Sequence, residues 1–245
     1  MMALGPALRV TPGEAATDPH IASVVLLLHM AGADGATTFT DSSPAAKTIT
    51  RAGAAQVSTT DALFGGSSLL LDGSGDYLQT TSTLSSFAFG TGDFTVECWM
   101  NTTDAGPGVL LDFYETANTG CWQLYLDAPA FYGENTLSWW SANGGAGVKI
   151  IGTDFNPRDG EWHHIAVCRV SGVTRLFADG VVAGAVADTR DYTGVGISPM
   201  AVGAQVNTRN AAYDFAGRID EVRITKGVGR YTTTFQRPTE PFPDS

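Results

Sequence analysis

The segment from Trp162 to Gly180 constrains the fold more than any other part of this chain. It contains two short runs in which apolar and polar residues alternate, separated by Ser171-Gly172. Alternation with a period of two is typical of a strand that buries one face, and a glycine-containing separation of two residues is typical of a tight turn. We therefore predict an antiparallel β-hairpin whose second strand ends near Ala178-Asp179-Gly180.

Composition favours a soluble all-β domain. Hydrophobic residues make up 43% of the 245 residues, which is enough for a large core, and 29 glycines indicate many turns. The net charge is −11, and the sequence has no basic stripe that could bind a phosphate backbone. We therefore expect no nucleic-acid partner. The most apolar run, Ile21 to Met30, is about half of the ~20 residues that a membrane span needs. We interpret this run as a buried strand and expect no membrane partner.

Further alternating runs predict about a dozen strands and no amphipathic helix. The clearest is Phe94–Met100, in which Phe94, Val96, Cys98 and Met100 share one face, which we assign to the core. Another strand is predicted between residues 196 and 206. The fold class that follows is an all-β, two-sheet antiparallel sandwich.

Cysteine usage argues against a disulfide framework. The three cysteines, Cys98, Cys121 and Cys168, are odd in number and far apart in the sequence, and no secretory signal is apparent. We expect three small buried or half-buried thiols and no zinc site.

Three segments divide the chain. Residues 1–19 have little apolar periodicity and several prolines, which indicates an N-terminal arm that becomes ordered against another surface. Residues 20–235 form the predicted sandwich domain. Residues 236–245 contain three prolines and are predicted to be an extended C-terminal strap.

Four segments, in this order, resemble the laminin-G-like, concanavalin A-type jelly roll of the lectin and glucanase fold. They are Leu71–Leu78, Phe94–Met100, the Trp162–Gly180 hairpin and Gly217–Ile224. The resemblance covers roughly residues 21–235, and it implies the jelly-roll fold rather than a particular function.

The ends of the domain are similar to a narrower group. Asp18-Pro19-His20 leading into Val24–His29, and Thr225–Thr232 leading to Pro241-Phe242-Pro243, look like the version of this domain found in tailed-bacteriophage virion proteins. The resemblance implies a structural, decoration or fibre-like component of the particle, located in the virion.

Glycosidase chemistry is not expected, although the same sandwich hosts retaining glucanases. Those enzymes need two carboxylates that project together into one cleft, and the family motif places them at alternate positions of one strand. The chain has no such run, and the side chains of the adjacent Asp220 and Glu221 are expected to leave opposite faces of their strand. The same argument predicts that His163 and His164 point apart and do not bind one metal ion together.

A structural calcium ion is the one cofactor that we consider. In the wider fold an aspartate at the start of the last strand often holds calcium, and this position is Asp220; Asp72 and Asp76 are further candidates from a nearby Asp/Gly turn. Relatives often carry Phe-Asp-Gly after the histidine of the first strand, whereas this chain has Met30-Ala31-Gly32, so one ligand is missing. The alternative is that these carboxylates cap turns.

Aromatic residues between positions 122 and 140 are the best candidates for a binding surface. The candidates are Trp122, Tyr132, Trp139 and Trp140. Because Trp139 and Trp140 are consecutive on a predicted strand, only one of them can lie in the core, and the other faces outward. Three interpretations remain open for the outward indole: cover by loop residues, contact with another subunit, or stacking on a sugar.

The sequence thus favours a non-enzymatic structural protein of a bacteriophage particle, either a capsid decoration protein or a fibre or tail accessory. Its expected partners are other virion proteins, contacted through the terminal arms, and further copies of itself. The alternative is a carbohydrate-binding adhesin that recognises host surface glycans.

Overall fold

A computed structural model gives the fold of the chain. It describes residues 17–81, 84–114, 120–127, 137–142, 147–194, 199–207 and 209–245. These residues form fifteen strands, one short α-helix, α1 (Leu84–Phe87), and two 3-10 turns, Ile21–Ser23 and Ala211–Tyr213. Within the described ranges no helix has the length and apolar character needed to cross a membrane.

Eight strands form one antiparallel sheet. They are β1 (Val24–Leu28), β3 (Gln56–Ser58), β4 (Ser68–Asp72), β6 (Phe94–Asn101), β11 (His163–Val170), β12 (Val173–Ala178), β13 (Val181–Ala187) and β15 (Ala216–Lys226). Their order is β13-β12-β11-β6-β15-β4-β3, and β1 pairs with the second half of β15. The long strand β15 therefore joins both halves of the sheet.

Seven strands form the second antiparallel sheet. They are β2 (Ile49–Ala52), β5 (Tyr77–Thr80), β7 (Gly108–Phe113), β8 (Trp122–Leu126), β9 (Leu137–Ala142), β10 (Gly147–Thr153) and β14 (Ala201–Val202). Their order is β10-β9-β8-β7-β14-β5-β2. The two sheets form the predicted sandwich, and the fold class is confirmed.

The core lies between the sheets. Phe94, Val96, Cys98 and Met100 of β6 all belong to it, as the alternation predicts. Aromatic rings from both sheets stack at its centre: Trp122 lies 5.2 Å from Trp139 between ring centroids, and Phe94 lies 5.5 Å from Trp139. Burial of these large rings ties β6 of one sheet to β8 and β9 of the other.

The predicted hairpin is present as β11 and β12. Val170 pairs with Val173, and the two turn residues Ser171 and Gly172 have φ values of 49° and 73°. Positive φ at both central residues is the mark of a type I′ turn, whose twist matches that of the strands it joins. All three cysteines are free and buried, as expected.

Two strands differ from the sequence analysis. The strand expected between residues 196 and 206 is reduced, among the described residues, to Ala201–Val202, because the chain after Val202 leaves the sheet and lies across its outer surface. Strand β13 was not predicted, because valine, alanine and glycine follow one another in it without polar alternation.

The C-terminal strap (Gln236–Ser245) packs against the domain itself. Phe242 is 4% exposed and contacts Val24 and Leu27 on the outer surface of the eight-stranded sheet. Its backbone N–H donates to Oε2 of Glu221 at 2.7 Å, and the N–H of Asp18 donates to the carbonyl of Ser245 at 2.8 Å. The strap and the end of the N-terminal arm are therefore held together on one face of the sandwich.

Candidate functional site

A row of directly paired residues crosses the outer face of the seven-stranded sheet. From one edge of the sheet to the other, the row consists of Thr50, Gln79, Ala201, Asp112, Gln123, Trp140 and Lys149. Directly paired residues of an antiparallel ladder project from the same face, and their neighbours along each strand point into the core. We call this set the transverse row.

Trp140 and Lys149 form one end of the transverse row, and both side chains are half-buried. Trp140 is half-buried, its Nε1 donates to Oγ of Ser138 at 2.8 Å, and Nζ of Lys149 lies 5.9 Å from the centre of the indole ring. Tyr125 meets Trp140 edge to face at 6.4 Å. Lys149 also lies 3.5 Å from Oδ2 of the buried Asp127. An indole held by neighbours on a sheet is a rigid apolar plate with polar groups at its rim.

Asp112 and Gln123 form the buried middle of the transverse row. Residues 203–207 and 209–214 lie over them: the N–H of Val206 donates to Oδ2 of Asp112 at 2.9 Å, and Tyr213 packs on Tyr125 at 5.5 Å. Oδ1 of Asp112 accepts from Nε2 of Gln123 at 3.0 Å. Burial raises the pKa of Asp112 to about 7, since all of its hydrogen-bond donors are neutral.

Only one of the predicted aromatic candidates lies at an accessible position in the described residues. Trp122 and Trp139 are 0% exposed, and their indole N–H groups donate to Phe87 O and Tyr192 OH inside the core. Their assignment to a binding surface is corrected for this reason: both belong to the inward positions of β8 and β9. Trp140 is the outward member of the pair, and Tyr132 lies outside the described residues.

The three calcium candidates do not form one coordination shell. Asp220 is 0% exposed, and its two oxygens accept the N–H groups of Phe64 and Glu221 at 3.2 Å and 2.9 Å. Asp72 pairs across the sheet with Ala216, four residues away from Asp220 along an extended strand, so the Asp72 turn lies at a different level of the sheet. Asp72 and Asp76 bind backbone N–H groups of their own turn. The described part of the chain contains no group of three or more acidic, histidine or cysteine side chains placed to hold a metal ion.

Asp220 and Glu221 depart from the predicted geometry. A bulge interrupts the register of β15 between Asp220 and Arg223, and Glu221 has a φ of 47°, so the alternation is broken there. Both carboxylates therefore lie outside the core, on the same side, which corrects the expectation of opposite faces. Neither is accessible to a substrate: Glu221 is 1% exposed and is bound by His29 at 2.8 Å and by the strap.

His163 and His164 have separate partners, as predicted. His163 bonds Asp179 at 2.7 Å and Asp159 at 2.9 Å, whereas His164 bonds Oε2 of Glu97 at 3.1 Å. The two rings therefore do not share a ligand.

A buried ion cluster around Glu97 was not found from the sequence. Nε of Arg223 donates to Oε1 of Glu97 at 2.8 Å, the hydroxyl of Tyr231 donates to Oε2 at 2.9 Å, and Arg223 and Arg230 both contact Asp18. Burial by itself would raise the pKa of Glu97, but the charge of Arg223 and the bond to His164 lower it to about 2. The cluster lies beneath the C-terminal residues, and we interpret it as structural.

The fold is a lectin-like β-sandwich of the concanavalin A type, and one indole lies on its outer face. Residues 72–228, more than half of the chain, match the Laminin_G_3 family, described as the concanavalin A-like lectin/glucanases superfamily. The chain belongs to this family. No curated protein matches its sequence.

Solved structures with the same fold include the binding domains of clostridial toxins. The binding domain of Paraclostridial Mosquitocidal Protein 1 aligns with a TM-score of 0.61 at 15% identity, over 84% of this chain and 49% of that chain. A structure of botulinum neurotoxin type C, described as dependent for cell entry on two ganglioside molecules, aligns with a TM-score of 0.61 at 15% identity, over 84% and 48%. The botulinum neurotoxin DC binding domain in complex with rat synaptotagmin II aligns with a TM-score of 0.61 at 14% identity, over 84% and 48%. This chain spans about half the length of these structures, and the likeness concerns the fold.

Proposed function

We propose that this chain is a non-catalytic glycan-binding module whose sugar platform is the Trp140–Lys149 end of the transverse row. The observation that carries the proposal is the position of Trp140, which is half-buried on the outer face of a sheet beside Lys149 and Ser138. Pyranose rings present C–H groups on one face, and these stack on indole rings while nearby polar groups bind the hydroxyls.

The surroundings of Trp140 suit a polar ligand with one apolar face. The ammonium group of Lys149 is a donor for a sugar hydroxyl or carboxylate, and it lies over the indole ring, 5.9 Å from the ring centre, outside the core. Within the row, Asp112 and Gln123 bond each other, and Asp112 also accepts from the covering residue Val206, so the platform moves little on binding. A preorganised platform lowers the entropic cost of binding.

The structural neighbours support the same class of ligand. The botulinum neurotoxin type C structure is described in terms of gangliosides, which are sugar-bearing lipids. Because the shared region is about half of that chain, the identity of the sugar is not transferred from it. Recognition of a host surface glycan by an adhesin is the form of this function that we favour.

Substitution of Trp140 tests the proposal. On a glycan array, and by titration calorimetry with any glycan that binds, we expect Trp140→Ala to lower affinity at least about tenfold, since an aromatic hot spot contributes about 2 kcal/mol. The matched control is Trp162→Ala, which removes another half-buried indole that directly precedes β11 of the other sheet, where its Nε1 donates to Asp61. A blank array for the wild type, or equal losses in the two variants, would refute the proposal.

A structural role in a bacteriophage particle is the second candidate. The two end segments similar to virion proteins meet in the structure, where Nη2 of Arg230 lies 2.7 Å from Oδ2 of Asp18. This contact favours a domain that works as one rigid platform with its ends fastened, as a capsid decoration protein or a fibre or tail accessory requires. Mass spectrometry and cryo-EM of purified particles test it: symmetry-related copies on the capsid or tail support this role, and absence from intact particles excludes it.

A further inference from the structure

Strand β13 is an exposed and uncharged edge of the eight-stranded sheet. It pairs with β12 on one side and ends the order of strands on the other. Val181 is 56% exposed and Val182 is 36% exposed, and these are the exposed large hydrophobic residues of the described chain. An edge strand leaves a row of N–H and C=O groups available to another strand.

The other strands at the ends of the sheet orders are protected in ways that β13 is not. Strand β3 has three residues, β2 has four and includes the exposed Arg51, and β10 carries Lys149. Strand β13 has seven residues, and none of them is charged or proline. Short length, charge and proline are three of the means by which proteins prevent edge pairing, and β13 has none of them; a bulge at Ala183 is the one protective feature that it has. We therefore treat β13 as a contact surface.

The sequence of β13 indicates which partner fits it. It reads Val-Val-Ala-Gly-Ala-Val-Ala, so residues equally far from Gly184 match: Ala183 corresponds to Ala185, and Val182 to Val186. An antiparallel pair related by a twofold axis at Gly184 therefore brings side chains of similar size together and matches donors with acceptors.

Charge at the edge does not prevent contact with a second copy. Two copies with a net charge of −11 repel each other wherever acidic side chains face one another. The flanking acids are already engaged within the chain: Asp179 contacts His163 and Arg237, and the buried Asp188 bonds Thr174 and Tyr192. The edge itself adds no charge to the contact.

From these observations we propose that β13 pairs with β13 of a second copy of this chain, which continues the eight-stranded sheet across a twofold axis. A bulge at Ala183, where the register shifts opposite Leu176 and Phe177, limits the regular ladder. The contact is therefore expected to be of modest strength, with dissociation at about micromolar concentration.

Analytical ultracentrifugation of the whole chain between about 1 and 100 μM tests the proposal. We expect a concentration-dependent dimer for the wild type, and monomer throughout for Val182→Lys, because a lysine on each copy places like charges at the contact. Val181→Lys is a second variant at a more exposed position. The matched control is Thr50→Lys on the edge strand β2, which adds the same charge at an exposed residue and is expected to dimerise as the wild type does.

Hydrogen exchange locates the contact. Amides of Val181–Ala187 are expected to exchange more slowly as the concentration of the wild type rises, and those of Ile49–Ala52 are not. A wild type that is monomeric over the whole range refutes the proposal. A dimer that persists in both lysine variants, with unchanged exchange in β13, refutes it equally.

Discussion

Three buried carboxyl groups have shifted pKa values, one lowered and two raised, and the neighbours of each group explain the direction. Glu97 has Arg223 and His164 beside it, and its pKa falls to about 2. Asp112 is bonded by neutral amide groups, and burial raises its pKa to about 7. Asp220, bonded by two backbone N–H groups and close to Glu221, has a pKa raised to about 8, chiefly by burial. Burial disfavours a charge unless an opposite charge or enough donors compensate for it.

The raised pKa of Asp112 makes stability depend on pH. In the unfolded chain this group loses its proton near 3.8, and in the folded protein near 7, so between these values the folded state holds the extra proton. The free energy of unfolding therefore falls as pH rises through this window. We expect Asp112→Asn to lose less stability between pH 5 and pH 8 than the wild type, measured by urea unfolding. Equal losses would contradict the assignment. Asp220, His29 and His163 also have raised pKa values and contribute to the residual slope, so Asp112→Asn/Asp220→Asn is expected to be flatter still but not flat.

At the scale of elements, the C-terminal strap is part of the fold. Its anchor is Phe242, which is buried against Val24 and Leu27 and lies 3.8 Å beneath the guanidinium of Arg223. Because the strap forms no strand, side-chain packing and a few hydrogen bonds hold it. An element held in this way depends strongly on its single large anchor.

Removal of this anchor is expected to release the strap. Phe242→Ala should lower the free energy of unfolding by about 3 kcal/mol, as large-to-small changes of buried aromatic residues do, and should open the last ten residues to protease. The neighbouring Pro241→Ala is the control, since Pro241 is exposed. Denaturant unfolding and timed proteolysis with mass spectrometry measure both effects. Rapid cleavage of the strap in the wild type would show that the packing against Glu221 and Val24 does not persist in solution.

For the whole molecule, the ion cluster around Glu97 joins parts of the chain that are far apart in sequence. It links Asp18 near the start, β6 in the middle of the sheet, and Arg223, Arg230 and Tyr231 near the end. Each charge in it is almost fully buried, so the cluster is stable only when complete.

Loss of the Glu97 charge is expected to weaken the whole domain. Glu97→Gln leaves Arg223 without its nearest carboxylate and should cost about 3 kcal/mol in the free energy of unfolding, whereas the exposed Glu161→Gln should cost little. Because the folded pKa of Glu97 is about 2 and its ordinary value is 4.5, its contribution is complete above about pH 4.5 and is lost as pH falls towards 2. The acid-induced loss should therefore be smaller in Glu97→Gln. A variant with the stability and acid profile of the wild type would contradict this role.

Local patterns in the sequence determined the fold class and much of the core. The β11–β12 hairpin and the inward face of β6 follow from alternation and turn chemistry, which act between residues close in the chain. The same rule required that one of Trp139 and Trp140 face outward, but it did not indicate which one.

The tertiary structure decided what depends on register and on distant partners. The transverse row exists because all seven strands of one sheet align at one level, and no local pattern records that alignment. A bulge at Glu221 breaks the alternation of inward and outward side chains beside Asp220. Residues 203–207 and 209–214 cover Asp112 on the outer face of its sheet. Strand β13 has no polar alternation, so its edge position is set by its neighbours in the sheet and could not be predicted from its own sequence. Register, burial and edge position are properties of the packed chain, and for this reason they appeared only in the structure.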